Sequence, residues 1–302
     1  MQGSGIIGPV HLINADLHSH STVSDGTLAP AEVAARAAAG GVELWALTDH
    51  DEVAGIAEAR EAARGLGMAF LAGVEISVSF AGETVHVLGL GIDADDETLR
   101  QGLAATRGGR EERARAMAAG LAAAGIDGAY EGALRYVGNP ELISRTHFAR
   151  FLVERGVCGS MHEVFRRFLK EGLPGYVPHR WARLADAVRW IRGAGGIAVI
   201  AHPGRYDFTP TEEYALITEF IAHGGRGIEV MTGSHGEAER LRYADTALEF
   251  GLLASRGSDF HDPDESRTAL GSLPDLQGRL TPVWQALATR IEGRTTRPAA
   301  MA

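Results

Sequence analysis

Two short motifs far apart in the chain constrain it most: Asp16-Leu17-His18-Ser19-His20 near the start and Ser258-Asp259-Phe260-His261 near the end. In an extended segment, residues two apart point to the same side, so His18 and His20 share one face and Asp259 and His261 share another. Two polar pairs presented in this way need a common partner, and a divalent cation is one that imidazole and carboxylate can share. The fold is therefore expected to bring the two ends of the chain together around metal.

Further candidate ligands close apolar runs in between. Asp25 stands beside Gly26, His50 follows Leu44 to Asp49, and Glu75 lies in Gly73-Val74-Glu75-Ile76-Ser77. His86 lies in Thr84-Val85-His86-Val87-Leu88-Gly89, and His202 follows Ile197 to Ala201. Nine imidazoles and carboxylates are too many for one ion and suit two or three divalent cations with positions left open for substrate.

Composition narrows the chemistry. The single cysteine, Cys158, leaves metal binding to His, Asp and Glu and is expected to serve packing. Hard and borderline donors of this kind suit Mn, Fe or Zn. A net charge of −10 argues against a partner as long as a nucleic-acid duplex, which calls for a basic face, but not against a small phosphate held by cations. No apolar stretch is long enough for a membrane helix and the first ten residues lack the pattern of a signal peptide, so the expected location is the cytoplasm, with no membrane partner.

From Ala15 to Leu90 short apolar runs alternate with Ala-rich helical pieces: a helix over Pro30–Ala39 stopped by Gly40-Gly41, a second over Val53–Leu66 and a strand over Phe70–Ile76. Such alternation predicts a mainly parallel sheet or barrel in the α/β class, with the candidate ligands at or just beyond the carboxyl ends of the strands. From about residue 96 to 184 the pattern becomes helical: Asp96–Ala124 with breaks at Gly102 and at Gly108-Gly109, Ser144–Arg155, and His162–Glu171. This reads as an insertion beside the barrel mouth, dividing a discontinuous domain over 11–95 and 185–290. Leu184–Ala194 leads back into the barrel, and after Leu280 one more helix precedes a loose tail at Thr295-Thr296-Arg297-Pro298.

Asp-Leu-His-Ser-His, Thr48-Asp49-His50-Asp51, Gly73-Val74-Glu75, Ala201-His202-Pro203-Gly204 and Gly257-Ser258-Asp259-Phe260-His261 together resemble, in order, the motifs of the PHP (polymerase and histidinol phosphatase) phosphoesterases. The resemblance covers about residues 16–90 and 196–271 and implies a distorted (β/α)7 barrel, a strand count that spacing alone does not give. It also implies three metal positions: His18, His20, Glu75 and Asp259; Glu75, His86 and His202; and Asp25, His50 and His261, with Glu75 bridging. Glu75, Asp259 and His202 are thus the expected catalytic residues, and two or three ions, Mn before Fe or Zn, the expected cofactors. Asp25 stands where many family members carry His, which changes the charge of the third position. Paired ions of this kind lower the pKa of a bound water toward ~7 and clamp phosphoryl oxygens, so a hydroxide bridging them is the expected attacking group.

Within the insertion, Asn139 to His147 and Lys170 to Arg180 resemble the subgroup that hydrolyses 3′,5′-nucleoside bisphosphates and short RNA ends. Arg145 and Arg180 are the first candidates to grip phosphate and Lys170 the next. Tyr176 and Trp181 are candidates to stack on a base or to pin a loop. Asp49 and Asp51 are candidates to cap or orient His50; His179 and His235 are expected to be solvated at the surface, with substrate contact or proton donation to the leaving group the alternative; His11, His162 and His223 read as ordinary surface or structural histidines. The leading expectation is a metal-dependent phosphomonoesterase that removes the 3′-phosphate from a 3′,5′-bisphosphorylated nucleotide, leaving a nucleoside 5′-monophosphate. The alternatives are a 5′-to-3′ exonuclease on short RNA, a histidinol-phosphate-type phosphatase, and, from a different class, a non-catalytic regulatory module.

Overall fold

A computed structural model describes residues 13–293; His11 and the tail segment Thr295–Pro298 lie outside the described residues. Seven strands run in the order β1 (Ala15–Asp16), β2 (Leu44–Leu47), β3 (Ala69–Phe80), β4 (Glu83–Leu90), β6 (Ile197–Ile200), β7 (Gly227–Thr232) and β8 (Leu253–Gly257), while the short β5 (Ala182–Arg183) pairs with β3 from the side. The ends of this sheet meet where Leu17 N–H donates to the Arg256 carbonyl at 3.0 Å, Asp259 N–H to that of His18 at 2.9 Å, and His20 N–H to that of Phe260 at 2.8 Å. The result is a nearly closed, distorted barrel with helices outside it. The ladder that closes the barrel is also the one that brings the two terminal motifs together.

The strand period shows how one segment serves both core and site. Along β3, Phe70, Ala72, Val74, Ile76 and Val78 pack outward against the helices, while Ala69 and Leu71 face the interior with Leu17, Leu44, Leu88 and Val199. Glu75 and Ser77 have the same parity as Leu71 and continue the interior face upward. The floor is apolar and closed by Val283, Trp284 and Leu287 of α11 (Val283–Ala286) and the turn after it. Each large apolar side chain buried there stabilises by roughly 1.5–3 kcal/mol.

The outer layer consists of α1 (Pro30–Ala39), α2 (Ile56–Gly65), α3 (Glu97–Arg107), α8 (Leu184–Gly193), α9 (Pro210–Ala222) and α10 (Glu237–Glu249). Pairing is mainly parallel as expected, with β4 the one strand that runs against the rest: β3 and β4 form an antiparallel hairpin turning at Ala81-Gly82, and β4 pairs antiparallel with β6. Hydrophobic spacing shows that a strand exists but not which way it runs. The expected helix break at Gly102 is also absent, because α3 continues through it. There the missing side chain lets the backbone close onto Trp190, where a Cβ would come within 2.4 Å of the indole. Gly108-Gly109 does end α3 and start α4 (Arg110–Ala123).

The residues between 96 and 184 divide between two cores. Leu99 and Leu103 of α3 join the barrel's outer core, whereas Met117 and Leu121 of α4, Ala129 and Ala133 of α5 (Ala129–Leu134), Phe148 and Leu152 of α6 (Arg145–Glu154), and Leu169 form a separate one. In place of a helix over His162–Glu171 there is a short α7 (Met161–Val164) followed by a π turn over Phe165–Leu169. Cys158 is buried in this second core.

Candidate metal centre and its cavity

Glu75 is the centre of the site. Its Oε2 lies 3.2 Å from His18 Nε2, 3.2 Å from His20 Nε2 and 3.1 Å from His50 Nδ1, and its Oε1 lies 3.0 Å from both His86 Nδ1 and His202 Nε2. Asp259 Oδ1 stands 3.4 Å from the same Nε2 atoms of His18 and His20. Asp25 Oδ1 stands 3.3 Å from His261 Nε2 and 3.8 Å from His50 Nε2. The structure thus gathers all nine candidate ligands at one mouth of the barrel. Three subsets each place one ligand atom per residue within 4.8 Å of the others: His18, His20, Glu75 and Asp259; His20, Asp25, His50 and His261; and His50, Glu75 and His86. His202 lies beside the last of these, its Nε2 3.4 Å from His86 Nδ1.

The elements that hold these ligands differ. His18, His20, His50, His202, Asp259 and His261 lie just past strand ends, whereas Glu75 is in the middle of β3 and His86 in the middle of the antiparallel β4, opposite Ser77. The backbone is strained beside them: Asp51 (φ 50°), His202 (φ 27°) and Asp259 (φ 56°) occupy left-handed conformations that cost on the order of 1–3 kcal/mol each. At Gly257 a Cβ would come within 2.3 Å of the His18 Cβ, so only glycine lets β8 approach β1 closely enough to pair the two motifs.

Burial sets the electrostatics. It opposes charge on His18, but Glu75, Glu229 and Asp259 outweigh it and hold that imidazole's pKa well above its ordinary value. Burial and then Arg205 push His202 down to about 3. Burial would raise Glu75 and Asp259, yet the surrounding imidazoles hold both well below the usual carboxylate range. Glu75 Oε2, Asp25 Oδ1, His20 Nδ1, His50 Nδ1 and His202 Nδ1 are buried without a hydrogen-bond partner among the described residues. Glu75 Oε2, Asp25 Oδ1 and His50 Nδ1 lie within the cluster, where divalent cations would satisfy them, and the all-N/O donor set fits such ions; His20 and His202 turn Nε2, not the orphaned Nδ1, to Glu75.

The side-chain hydrogen bonds of Asp49 and Asp51 run to partners other than the His50 ring. Asp49 accepts from Ser21 N–H, Ser21 Oγ and Ser24 Oγ and so fixes the loop leading to Asp25. Asp51 accepts from Ser77 N–H at 2.8 Å and Ser77 Oγ at 3.0 Å and pairs with Arg110 of α4.

Above the cluster is a cavity of about 120 Å³ lined by ligands, among them His86, His202 and Asp259, and by Arg110, Arg113, Arg145, Arg205, Phe165 and Trp181. Arg110 and Arg113 lie 4.5 and 5.4 Å over the Trp181 ring. Arg205 pairs with Asp259 at 2.8 Å. Arg113 and Arg145 have no carboxylate partner within salt-bridge distance among the described residues, and burial together with the neighbouring guanidiniums lowers Arg113 to about 10. Of the three insertion residues expected to bind phosphate, only Arg145 reaches this cavity. Arg180 is exposed and lines a separate surface cavity with Phe80, His179 and Glu219, and Lys170 is exposed on the insertion. The reason is extended geometry: next to Trp181, which turns inward, the neighbouring side chain turns out. Tyr176 is half-buried, and His235 is buried, with Nε2 accepting from Gly204 N–H at 3.0 Å.

Sequence reasoning missed Arg110, Arg113, Arg205 and Glu229. Arg110 had a signal, since it stands in helical register with Ala114, Met117 and Leu121, the buried face of α4. Glu229 had one too: Gly227-Ile228-Glu229-Val230 repeats the pattern of Gly73-Val74-Glu75-Ile76, and its carboxylate is fully buried. Arg205 had none beyond its closeness to His202.

Residues 16–232 match the model of the PHP domain. The chain is 54% identical over 280 residues, 93% of this chain and 98% of the relative, to a 3′,5′-nucleoside bisphosphate phosphatase of Chromobacterium violaceum. It is 41% identical over 270 residues, 89% of this chain and 97% of the relative, to a 5′-3′ exoribonuclease of Haemophilus influenzae. A solved structure of an amidohydrolase from Chromobacterium violaceum with bound sulfate and no metal superposes with a TM-score of 0.90 at 54% identity, covering 92% of this chain and 97% of that one. With the barrel, the motif order and this match in agreement, the chain belongs to the PHP domain family.

Proposed function

We propose that this metal-dependent phosphoesterase removes the 3′-phosphate from 3′,5′-nucleoside bisphosphates and leaves the nucleoside 5′-monophosphate. The observation that carries the reading is the set of arginines in the same cavity as the ligand cluster. Arg110, Arg113 and Arg145 face a space whose wall is shared with His86, His202 and Asp259, and only Arg110 is matched by a carboxylate. A buried and a half-buried guanidinium left without a carboxylate, Arg113 and Arg145, are a site for a dianionic group, which they bind with bidentate hydrogen bonds. A substrate with two phosphates satisfies both halves of the cavity at once.

In this reading His18, His20, Glu75 and Asp259 hold one ion, Glu75, His86 and His202 a second, and Asp25, His50 and His261 a third, with Mn the first candidate metal. When bound, such ions neutralise phosphoryl oxygens and lower the pKa of water toward neutrality. The chain's own contribution is positioning. Arg110, Arg113 and Arg145 hold the non-reacting 5′-phosphate, and Trp181 fixes Arg110 from below, its Nε1 donating to Thr84 Oγ1 at 3.1 Å. Binding energy from that remote group places the 3′-phosphate at the cluster, where one water is consumed and the P–O3′ bond breaks. The nucleotide phosphatase at 54% identity supports this substrate class.

A second reading, 5′-to-3′ hydrolysis of short RNA, is favoured by one observation. A further cavity of about 530 Å³ joins the first at Thr146, Phe165, Arg205, Asp259 and His261, leaving room for a chain that continues past the reacting phosphate. The exoribonuclease relative points the same way. Both readings predict a small nucleotide or short RNA as partner, and among the described residues no helix is long and apolar enough to cross a membrane.

Phosphate or nucleotide release with added Mn from a 3′,5′-bisphosphate, 5′-phosphorylated trinucleotide RNA and histidinol phosphate tests the choice. The bisphosphate is expected to have the highest kcat/KM. A trinucleotide turned over more than tenfold faster would replace the first reading with the second, and preference for histidinol phosphate would overturn both.

A further inference from the structure

Glu229 on β7 is fully buried and belongs to none of the three ligand subsets. Its two oxygens serve two different ligands: Oε1 lies 3.0 Å from His18 Nδ1, and Oε2 accepts the backbone N–H of His202 at 2.6 Å. His18 turns its other nitrogen, Nε2, to Glu75 and Asp259. A neutral imidazole carries one ring proton, so the nitrogen facing a cation is bare only if Nδ1 holds that proton. An acceptor-only group at Nδ1 enforces this tautomer. The second oxygen holds His202 at the point where its backbone turns left-handed, φ 27°, and so sets where that imidazole starts.

We propose that Glu229 is a positioning residue for metal binding that fixes the His18 tautomer and the His202 backbone together. The chemistry is selective, because a carboxylate accepts at both oxygens and a carboxamide at only one. In Glu229→Gln, an NH₂ facing His202 N–H sets donor against donor at 2.6 Å. Turned the other way, the NH₂ faces His18 Nδ1, which must then accept, and the ring proton moves to Nε2 and blocks the ligating nitrogen. Neither orientation of the amide reproduces both contacts, although its shape is almost unchanged.

The proposal rests on the metal reading of the cluster and not on the choice of substrate. The experiment is Mn binding to metal-free wild type, Glu229→Gln and Glu229→Ala, with free Mn followed by electron paramagnetic resonance, beside thermal melts of each metal-free protein. Glu229→Gln is expected to weaken Mn binding by about 10- to 100-fold, the usual effect of removing a group that orients a metal-bound histidine. A Glu229→Gln dissociation constant within threefold of wild type overturns the proposal, whatever the melts show; wild type that binds no Mn, Fe or Zn overturns the metal reading instead. If the variants do not fold, nitrogen-15 spectra of the Zn-loaded wild type decide. A proton on His18 Nδ1 is expected, and a proton on Nε2 overturns the assignment.

Discussion

The barrel mouth and the insertion carry opposite electrostatic deficits. At the mouth, carboxylate oxygens of Glu75 and Asp25 are buried without a hydrogen-bond partner among the described residues, so the barrel mouth suits cations. In the insertion, Arg113 and Arg145 face the same cavity with no carboxylate within salt-bridge distance among the described residues, so this side suits an anion. The proposed substrate, a phosphate ester with a second phosphate, would match both. The two regions also differ in how they are fixed: the mouth is set by the strand ladder, whereas the insertion, with a core of its own, is tied down at a few points. Asp51 pairs with Arg110, and Arg150 of α6 donates to the Asp25 carbonyl at 2.7 Å while pairing with Glu265 at 2.9 Å. Chemistry is thus separable from recognition, and variants on either side should show different signatures.

The largest effect belongs to the mouth. Glu75→Gln replaces the carboxylate that five imidazoles surround, so turnover should fall by about 10³-fold or more, equally for a 3′,5′-bisphosphate and for p-nitrophenyl phosphate. Wild-type protein reconstituted with Mn should hold at least two ions per chain by elemental analysis, and the variant fewer. Turnover within tenfold of wild type would remove Glu75 from the centre of the site and erase the contrast with the insertion.

Next is a stability effect at the contact between the insertion and the loop that carries Asp25. His147 of α6 is fully buried; its Nδ1 accepts from Ser144 N–H at 3.0 Å, and burial lowers its pKa to about 4. Its folded value lies below the unfolded value of ~6.5, so the unfolded chain binds the extra proton and stability falls as pH drops between the two. The contribution is fully present above about pH 6.5 and largely lost by pH 4. Between pH 7.5 and 4.5 this amounts to about 2.5 kcal/mol. Urea unfolding of metal-free wild type and His147→Gln should show the difference between them shift by that amount in favour of the variant at acid pH. A parallel pH dependence would mean that His147 titrates normally.

These differences show why one region was more legible than the other. His18 with His20, and Asp259 with His261, announce themselves because strand period 2 puts paired ligands on one face, and nothing but the fold's closure is needed to join them. The direction of β4 was not legible, since an antiparallel strand has the same alternation as a parallel one, and His86 therefore comes from mid-strand. Gly102 looked like a helix break because its reason for being glycine, the indole of Trp190, is contributed from another helix. Arg110 and Arg113 were passed over: register places them on the buried face of α4, but what they face depends on how α4 docks on the barrel. Arg180 was chosen because its segment resembles the nucleotide subgroup and guanidinium suits phosphate, and neither ground says which side of an extended segment faces in.

A smaller effect should separate recognition from chemistry. Arg113→Ala and Arg145→Ala each remove a charged hydrogen-bonding group from the proposed 5′-phosphate site, worth about 1.5–3 kcal/mol of transition-state stabilisation. Expected is a loss of roughly 10- to 150-fold in kcat/KM for the 3′,5′-bisphosphate. With p-nitrophenyl phosphate, which has no second phosphate, the change should stay within about threefold. Equal losses on both substrates would show that these arginines support the metal cluster and that the cavity is not divided as described.

The smallest effect is expected at Arg180 and Lys170. Both are exposed, neither lines the cavity above the metal cluster, and Arg180 opens instead onto a groove of about 800 Å³ behind Trp181. An exposed cation at a distance from the reacting phosphate is screened by salt within about 10 Å, so its removal should cost little. Arg180→Ala and Lys170→Ala are therefore expected to stay within about twofold of wild type in kcat/KM for the bisphosphate at 0.1 M salt. A trinucleotide RNA should be measured on the same variants, because a chain running past the reacting phosphate could reach the groove where a mononucleotide cannot. A loss at Arg180 seen only with RNA would extend the recognition surface beyond the arginine cavity and favour the exonuclease reading. A tenfold or greater loss with the bisphosphate itself would mean that the loop carrying Arg180 swings over the substrate, and the inward position of Trp181 would then describe only the substrate-free protein.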